Sequence, residues 1–164
     1  MQNIVYSQIG IINSPHEIPE QTPAQTVYAK GIKGTVEIDS KYSDGLADLD
    51  GFSHIYLIYH FHKSTEVKLT VKPFLDNTYR GLFSTRTPWR PNPLGFSIVK
   101  LLKREENILY IEDVDILNGT PLLDIKPYVH RFDRIDGVKC GWQDKIDEKT
   151  AQIRGKRNYK NLEL

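Results

Sequence analysis

The chain has 164 residues, of which 39% are hydrophobic and 26% are charged, and its formal net charge is +1. This length suffices for one domain with its own core, without disulfides or a structural metal. No apolar run approaches the roughly 20 residues of a membrane-spanning helix, so no membrane partner is expected. The near-zero charge gives no global sign of nucleic acid, and the N-terminus lacks the features of a signal peptide.

The single cysteine, Cys140, has no partner for a disulfide within the chain. We therefore expect a reducing, cytoplasmic location and a thiol that is buried or inert. Residues 139–164 contain seven Lys or Arg against four acidic residues, a local charge of +3. This basic C-terminal extension is either a solvated terminal segment or an arm that contacts nucleic-acid phosphates.

Short β-strands dominate the first half of the predicted secondary structure. The first strand is predicted over Ile4–Ile12, which is rich in β-branched residues and is followed by the turn signal Asn13-Ser14-Pro15. Gly34–Ile38 alternates and predicts a second strand. Ser43 is predicted to cap a short helix that runs through Leu49. Ile55–Phe61 is the most continuous apolar run and predicts a strand that is buried on both faces.

The second half of the chain continues this pattern. Val67–Val71 and Gly81–Thr85 predict two further short strands. Phe96–Leu102 and Ile108–Leu117 flank the polar turn Lys103–Asn107, which predicts a hairpin.

Turn and helix signals complete the expected architecture. Asn118-Gly119 favours positive φ and is followed two residues later by a proline, which predicts a tight turn. The spacing of Trp142, Ile146 and Ile153 predicts a C-terminal helix. About seven short strands separated by turns predict a mainly β protein, either a barrel or a strongly curved sheet with few short helices.

The segment Arg86–Gly95 contains three prolines within ten residues. Proline fixes φ and keeps the preceding residue out of the helical region, so the loop is stiff. Such a loop can hold the guanidinium groups of Arg86 and Arg90 towards a carboxylate, a phosphate or a base edge. Asn92 adds a donor and an acceptor. The alternative is a rigid turn whose arginines are surface ions.

A second unusual stretch is Asp115–Tyr128. It combines a strand, a tight turn, the apolar pair Leu122 and Leu123, and then Asp124 and Lys126 two residues apart. In an extended chain these two charged residues face the same side. The stretch is interpreted either as one wall of a ligand slot or as the salt-bridged end of a surface strand.

Known signatures of other enzyme classes are absent. His60 and His62 share one strand face, but no third ligand lies at a suitable spacing, which favours core or pocket histidines and no metal. The sequence has no G-x-G-x-x-G, Walker, H-E-x-x-H or G-x-S-x-G motif. A Rossmann methyltransferase is therefore disfavoured.

Two long segments resemble the signatures of the TsaA-like, or TrmO, family. Phe83–Ser97 resembles F-[AS]-[ST]-R-x-x-x-R-P-N-P-[IL]-G, and Val114–Tyr128 resembles D-x-x-[DN]-G-T-P-[VIL]-x-D-I-K-P-Y. Ile9–Pro15 and Leu49–His54 are similar to two shorter family segments. The matches follow one another in the family's order between residues 4 and 132.

This resemblance implies a fold, a cofactor and an activity. The family is a single-sheeted β-barrel that binds S-adenosylmethionine and works as a homodimer. Its activity is methylation of N6 of threonylcarbamoyladenosine, on the 3′ side of the anticodon in tRNA. By this resemblance, residues 1–138 are expected to form the TrmO-type barrel, and residues 139–164 are a basic extension of the same domain.

The resemblance also implies site residues. Arg90, Asn92 and Lys126 are expected to face the tRNA or the partner subunit, and Asp124 and His62 are the candidates for a general base. One departure is Ala24, because the family commonly has arginine there. The expected contacts to S-adenosylmethionine are Pro23, Ala24, Gln25, His62, Lys63, Arg86, Phe96, Pro121, Leu122, Leu123 and Asp124.

Two alternative functions remain open at the level of sequence. A methyltransferase of the same fold can act on a small molecule or on another RNA, with the same cofactor pocket and a different acceptor. A non-enzymatic module can use the barrel to bind a nucleotide. The two intact charged signatures argue against the second alternative, and a purely structural protein has no use for stiff, charged loops.

Overall fold

A closed six-stranded β-barrel forms the centre of the computed structural model, which describes residues 3–157. Around the barrel the strand order is β1-β2-β7-β6-β3-β8, and every neighbouring pair is antiparallel. A separate two-stranded sheet joins β4 and β5. The strands are Gly10–Asn13 (β1), Lys33–Ile38 (β2), His54–His60 (β3), Thr70–Val71 (β4), Arg80–Gly81 (β5), Leu94–Glu105 (β6), Ile108–Glu112 (β7) and Thr120–Pro127 (β8).

The helices are short and lie outside the barrel wall. Two α-helices, α1 and α2, follow the last strand, and the remaining helical segments are 3₁₀ turns. Their bounds are His130–Asp133 (α1), Glu148–Gly155 (α2), and, for the 3₁₀ turns, Pro19–Gln21, Thr26–Tyr28, Ser40–Leu46, Leu49–Gly51, Leu82–Ser84 and Gly141–Lys145. The prediction of a mainly β barrel with few short helices is therefore confirmed. Among residues 3–157, no helix has the length and apolar character needed to cross a membrane.

The barrel interior is filled by aliphatic side chains from all six strands. Each fully buried Leu, Ile or Val side chain contributes roughly 1.5–3 kcal/mol relative to its exposed state. Residues of this core that are inaccessible to solvent include Ile12, Val36, Ile55, Leu57, Val99, Leu109, Ile111 and Leu122.

Strand β3 alternates between the core and the outer face. Ile55, Leu57 and Tyr59 are buried, whereas Tyr56 and Ile58 are only partly covered. The prediction of a strand buried on both faces is therefore wrong, because the side chains on the outer face of β3 remain partly accessible to solvent. This accessible outer face is what makes β3 useful to the candidate site.

Strand β8 contains a β-bulge that decides which side chains reach the outer face. Tyr59 pairs with Leu122, but the next residue back on β3, Ile58, pairs with Asp124, so Leu123 is the extra residue. A bulge of this kind shifts the alternation of a strand by one position. As a result Leu122 enters the core while Asp124, only two residues later, lies on the outer face with Ile58.

The predicted N-terminal strand is too long. Residues 3–9 form no strand, and the ladder begins at Gly10. Ile4 and Val5 are 75% and 87% exposed, so their β-branched side chains have no core to enter. At its first residue, β1 lies very close to β2. A Cβ on Gly10 would lie 2.3 Å from the carbonyl oxygen of Glu37, and only glycine avoids this contact.

Two other predicted strands are shorter or absent. Of Val67–Val71, only Thr70–Val71 pairs. Gly81–Thr85 is mostly a 3₁₀ turn, because Ser84 Oγ donates to the carbonyl of Gly81 at 2.8 Å and Thr85 Oγ1 donates to that of Leu82 at 2.7 Å. Such local side-chain hydrogen bonds compete with strand pairing.

The hairpin and the tight turn are confirmed with changed limits. Strand β6 runs on to Glu105, so the turn consists of Glu106 and Asn107, with Glu106 at φ 52°. Strand β7 ends at Glu112 rather than at the predicted Leu117. Gly119 has φ 72°, as the Asn-Gly turn requires.

The two predicted helices also differ in detail. The helix after β2 is a 3₁₀ segment, Ser40–Leu46, and its cap is Asp39, whose Oδ1 accepts from the Lys41 amide, rather than Ser43. The C-terminal helix begins only at Glu148, because Asp147 caps it through the amide of Thr150. Cys140 is exposed, so the expectation of a buried thiol is wrong. Residues 158–164 of the basic extension lie outside the described residues.

Candidate functional site

The two signature segments meet on the outer face of the barrel, on either side of β3. The proline-rich loop leads into β6 and the Asp–Lys segment lies on β8, and both strands pair with β3. Ile58 is in register with Phe96 on one side and with Asp124 on the other. Paired residues of neighbouring strands point to the same face, so these three side chains form one row of about 10 Å, twice the spacing between strands.

Beneath this row, a polar chain that is buried at Tyr59 and Ser97 and half-buried at Asp115 joins the two signatures directly. Ser97 Oγ donates to Asp115 Oδ1 at 2.6 Å. Because the only hydroxyl proton of Ser97 is used there, the Tyr59 hydroxyl at 3.1 Å is the donor to Ser97 Oγ. The carboxylate of Asp115 is therefore the end of a Tyr–Ser–Asp chain of hydrogen bonds.

Arg86 lies above this chain and contacts two other predicted site residues. Its Nη1 donates to Gln25 Oε1 at 2.6 Å, and its guanidinium carbon is 4.9 Å from the centre of the Phe96 ring. Phe96 is 47% exposed, so the ring supports the guanidinium and still presents a surface to solvent. The 3₁₀ turn Thr26–Tyr28 follows Gln25 and sets the position of its side chain.

Burial has the largest effect on the pKa values of the ionisable groups in this polar chain. Desolvation raises the pKa of Asp115 to about 6, while the hydrogen bond from Ser97 and the positive charge of Arg86 act in the opposite direction. Desolvation and the negative charge of Asp115 raise the pKa of the Tyr59 hydroxyl well above its ordinary value. Asp115 is thus largely ionised at neutral pH, and its charge lies close enough to Arg86 to interact with it.

Arg90 has a different environment from Arg86, although both belong to the same loop. Its Nη1 donates to the carbonyl of Thr85 at 2.9 Å, and its guanidinium lies 5.5 Å from the Phe83 ring centre. The loop is also held from outside, because Phe61 donates its amide to the carbonyl of Pro93 at 2.8 Å. The structure therefore gives Arg90 a part in closing the loop. Asn92 is exposed at its tip.

His62 lies at the end of β3 and reaches towards β8. Its Nδ1 is 3.4 Å from Thr120 Oγ1, and that hydroxyl already donates to the carbonyl of Leu117. Nδ1 therefore carries the proton in this contact, and Nε2 carries the lone pair. Desolvation, followed by the charges of Lys63 and His60, lowers the pKa of His62, so the ring is neutral at pH 7. Lys63 is exposed next to it.

The four consecutive β8 residues predicted to contact the cofactor do not all face the same way. Asp124 and the partly covered Pro121 lie towards the outer face, and Asp124 Oδ2 accepts from Lys126 Nζ at 2.9 Å. Leu122 is fully buried in the core. The expectation that Leu122 and Leu123 together form a wall is therefore wrong for the Leu122 side chain, which packs inside the barrel.

The remaining predicted residues lie on the other side of Arg86. Pro23 is buried and Ala24 is partly covered, and the amide of Ala24 donates to the carbonyl of Gly155 at 2.8 Å. Pro23 also lines a cavity of about 360 Å³ between residues 15–32 and Lys156. The structure thus brings Arg86 into contact with Gln25 and Phe96 and places Phe96 and Asp124 on one face, while Ala24 is bonded to the end of α2.

Sequence reasoning missed Asp115, Ser97 and Tyr59 as site residues. The available signal was the position of Asp115 and Ser97 at the edge of each signature, but a lone Asp before a turn is usually a surface residue. Its hydrogen-bond donor is Ser97, 18 positions away in the chain. Within residues 3–157, no group of three His, Cys, Asp or Glu side chains is arranged to hold a metal ion.

Comparisons with known proteins place these observations in a family. The family model described as the tRNA-methyltransferase O N-terminal domain matches residues 11–134, which include both signatures. The chain belongs to the TrmO family. The matched range covers the whole TrmO-type barrel from Ile11 onwards and ends shortly after α1.

Relatives of this TrmO-type chain carry two kinds of name. The "Probable S-adenosyl-L-methionine-binding protein" of Pyrococcus abyssi is 49% identical over 97% of this chain and 86% of its own length. The "tRNA (adenine(37)-N6)-methyltransferase" of Escherichia coli is 34% identical over 79% of this chain and 59% of its own length. The crystal structure of TrmO from Pseudomonas aeruginosa superposes with a TM-score of 0.72 at 31% identity. The match covers 86% of this chain and 63% of that one, so the chain spans less than two thirds of these bacterial proteins.

Proposed function

We propose that this chain is an S-adenosylmethionine-dependent tRNA methyltransferase that modifies N6 of an adenosine next to the anticodon. The observation that carries this proposal is the row formed by Phe96, Ile58 and Asp124, with Arg86 stacked over the ring at one end. Family membership supports the same reaction, since relatives are named as S-adenosylmethionine-binding proteins and as tRNA (adenine(37)-N6)-methyltransferases.

The residues of this row fit the chemical groups of S-adenosylmethionine. Arg86 can bind the methionine carboxylate through donors that Gln25 does not use, since a guanidinium has five N–H groups and Gln25 accepts one. Asp124 can accept from a ribose hydroxyl or the ammonium group. The half-exposed Phe96 ring offers a flat apolar surface for the adenine.

The chain's own contribution to catalysis is mainly alignment. When bound, S-adenosylmethionine supplies an electrophilic methyl group, and transfer requires that the acceptor nitrogen is held in line with it. A nitrogen attached to a carbonyl is a weak nucleophile, so a base assists. His62 is neutral, with its lone pair on Nε2. Asp124 is the other candidate, although both its oxygens already accept hydrogen bonds, from the Ile125 amide and from Lys126.

The acceptor is proposed to be threonylcarbamoyladenosine in tRNA, with Arg90, Asn92 and Lys126 on the tRNA-facing side. The surface beside the loop supports an RNA substrate. Phe83 is 76% exposed beneath Arg90, and Lys68 lies 4.5 Å from the centre of the Trp89 ring. Exposed aromatic rings next to cations bind unpaired nucleotides through stacking and charge.

We also propose a homodimer in the cytoplasm, with residues 1–138 as the barrel domain and residues 139–164 as its extension. An exposed apolar run after β8, comprising Phe132, Ile135 and Val138, supports a protein–protein contact. The free, exposed thiol of Cys140 fits a reducing compartment.

Transfer of a labelled methyl group separates this proposal from its alternatives. The purified protein is incubated with methyl-labelled S-adenosylmethionine and either tRNA that carries threonylcarbamoyladenosine, the same tRNA without it, or a tRNA-free extract of small molecules. Nucleosides are then identified by mass spectrometry. Label at N6 of the modified nucleoside alone supports the proposal. Label only in the small-molecule extract supports the methyltransferase with another acceptor, and no label with measurable cofactor binding supports the binding module.

Replacement of Asp124 tests its assignment within this reaction. Asp124→Asn keeps the size of the side chain and removes its charge, so we expect kcat to fall by about 100-fold, within the range for a positioned acid or base. Lys126→Gln removes the ion-pair partner of Asp124 and is the control, with a smaller effect on kcat. Unchanged kcat in Asp124→Asn, measured with saturating cofactor, would remove Asp124 from the site.

A further inference from the structure

The C-terminal segment from Trp142 to Arg157 contacts the chain shortly before each member of the Arg86–Gln25 pair. The family model ends at residue 134, so these contacts lie outside the shared domain. The segment consists of the 3₁₀ turn Gly141–Lys145 and helix α2. It contributes no strand to the barrel. It contacts two regions of the chain, residues 19–28 and residues 74–84.

The first contact fixes the chain just before Arg86. Trp142 Nε1 donates to the carbonyl of Ser84 at 2.8 Å. The Trp142 ring is covered by Arg80, whose guanidinium carbon lies 5.5 Å from the ring centre. Arg80 is in turn held by Asp76, whose Oδ2 accepts from Arg80 Nε at 3.0 Å. Trp142 therefore packs against the segment that contains β5. Its hydrogen-bond acceptor, Ser84, lies two residues before Arg86.

The second contact fixes the chain just before Gln25. The carbonyl of Gly155, the last residue of α2, accepts the amide of Ala24 at 2.8 Å. Gly155 is buried, and a Cβ there would lie 2.3 Å from the Tyr28 ring. The helix end thus fits against residues 24–28 so closely that only glycine is accommodated. These residues form the turn that carries the acceptor of Arg86.

Two arginines of the same segment join the loop regions to each other. Arg157 Nη2 donates to the carbonyl of Pro19 at 2.9 Å, and its guanidinium lies 3.3 Å from the centre of the Phe74 ring. Arg154 Nη1 donates to Asn77 Oδ1 at 3.3 Å. Residues 19–28 and 74–84 are therefore linked through the C-terminal segment at four places.

We propose that residues 142–157 act as a brace that positions the Arg86–Gln25 pair for the cofactor. Its hydrogen bonds from Trp142 and Gly155 are made to the chain before each member of the pair, so these are positioning residues. As far as the pair binds S-adenosylmethionine, this inference rests on the proposed function. The brace assigns a task to the described part of the basic C-terminal extension, namely alignment of the site rather than direct contact with tRNA phosphates.

Two variants disturb the brace at its two contact points. Trp142→Phe keeps an aromatic ring and removes the N–H donor to Ser84. Gly155→Ala adds one methyl group that pushes the helix end away from Tyr28 and breaks the bond to the Ala24 amide. Lys149→Ala, at an exposed position of the same helix, is the matched control.

Hydrogen exchange of the ligand-free protein gives the first readout. We expect faster amide exchange in residues 82–88 for Trp142→Phe and in residues 22–28 for Gly155→Ala. Because one segment holds both regions, Gly155→Ala is also expected to increase exchange in residues 82–88. Lys149→Ala leaves both regions unchanged. Unaltered exchange of residues 82–88 in both brace variants would overturn the proposal.

Cofactor affinity, measured by calorimetry, gives the second readout. We expect the Kd for S-adenosylmethionine to rise by about fivefold in each brace variant, the loss typical of one hydrogen bond. The double variant Gly155→Ala/Tyr28→Ala should recover affinity relative to Gly155→Ala, because the ring that collides with the new methyl group is gone. Equal affinity in wild type and both single variants would overturn the brace. Absence of binding in the wild type would instead contradict the proposed function, and the exchange experiment would still decide the brace.

Discussion

The two ends of the proline-rich loop carry the same side chain in opposite circumstances. Arg86, at the start, extends away from the loop to Gln25 and over Phe96. Arg90 folds back onto the loop's own carbonyl at Thr85 and onto the adjoining Phe83. Both residues belong to one signature, yet one is presented to a ligand and the other stabilises the loop that presents it. A charged motif residue is therefore assigned by its hydrogen-bond partners rather than by its place in the motif.

The largest effect on cofactor binding is expected at Arg86, which extends away from the loop. Arg86→Ala removes the charge-assisted contact proposed for the cofactor carboxylate, worth about 1.5–3 kcal/mol, so the Kd for S-adenosylmethionine should rise by about 10- to 100-fold. The free energy of unfolding should fall by only about 1 kcal/mol, because the hydrogen bond to Gln25 and the contact with Phe96 are both exposed to solvent. Calorimetry and urea unfolding of the same preparation measure both quantities. An unchanged Kd would reassign Arg86.

An intermediate effect is expected from the carboxyl group below Arg86. Enclosure raises the pKa of Asp115 from its ordinary 3.8 to about 6. The folded state therefore binds the proton more tightly than the unfolded state, and stability falls as pH rises from about 3.8 to about 6. Asp115→Asn keeps an acceptor for Ser97 and should be more stable than wild type by about 1–3 kcal/mol at pH 7.5.

The same variant has a built-in control at low pH. Below about pH 3.8 both forms carry a neutral side chain, so their difference in unfolding free energy should vanish. Urea titrations at several pH values check this, and a difference that does not depend on pH would contradict the assignment. Arg86→Ala should move the end of this decline to higher pH, because the positive charge of Arg86 lowers the pKa of Asp115. Arg90→Ala should not change the pH at which this decline in stability ends.

The smallest effect on cofactor binding is expected at Arg90, which folds back onto its own loop. Arg90→Ala removes one hydrogen bond and one exposed cation–π contact, so unfolding should become easier by about 1 kcal/mol. The Kd for the cofactor should stay within about twofold of wild type. Thermal unfolding and calorimetry provide the two numbers. A loss of cofactor affinity as large as that of Arg86→Ala would remove the distinction between the two ends.

Much of the barrel was predictable because its strands follow simple patterns. Alternation in Gly34–Ile38 and the Asn118-Gly119 turn predict elements that the structure contains. The failures have local causes. Residues 4–8 have strand-forming side chains but are exposed and pair with no strand, and Gly81–Thr85 is diverted by hydroxyl groups that bond to nearby carbonyls. The prediction that β3 is buried on both faces failed because apolar content does not reveal whether a second layer covers the strand.

The candidate site was predictable only in part. The family signatures identify Arg86, Phe96 and Asp124, and the barrel brings them to one face. The inward direction of the Leu122 side chain could not be predicted, because a bulge cannot be recognised from alternation. Asp115 was missed because it lies in the loop before β8, and only the folded chain brings it to Ser97 on β6. Long-range contacts of this kind are set by strand register, which a single sequence does not specify.

The extra residue in β8 makes the spacing of the second signature as important as its chemistry. Leu123 inverts the phase of the strand, so that a core leucine and a solvent-facing aspartate occur two positions apart. If Leu123 paired with Ile58 in a regular ladder, Asp124 would pair with Leu57 and its carboxylate would lie among aliphatic side chains, although no residue had been replaced. The exposed position of this carboxylate therefore depends on where the strand pairing absorbs its extra residue.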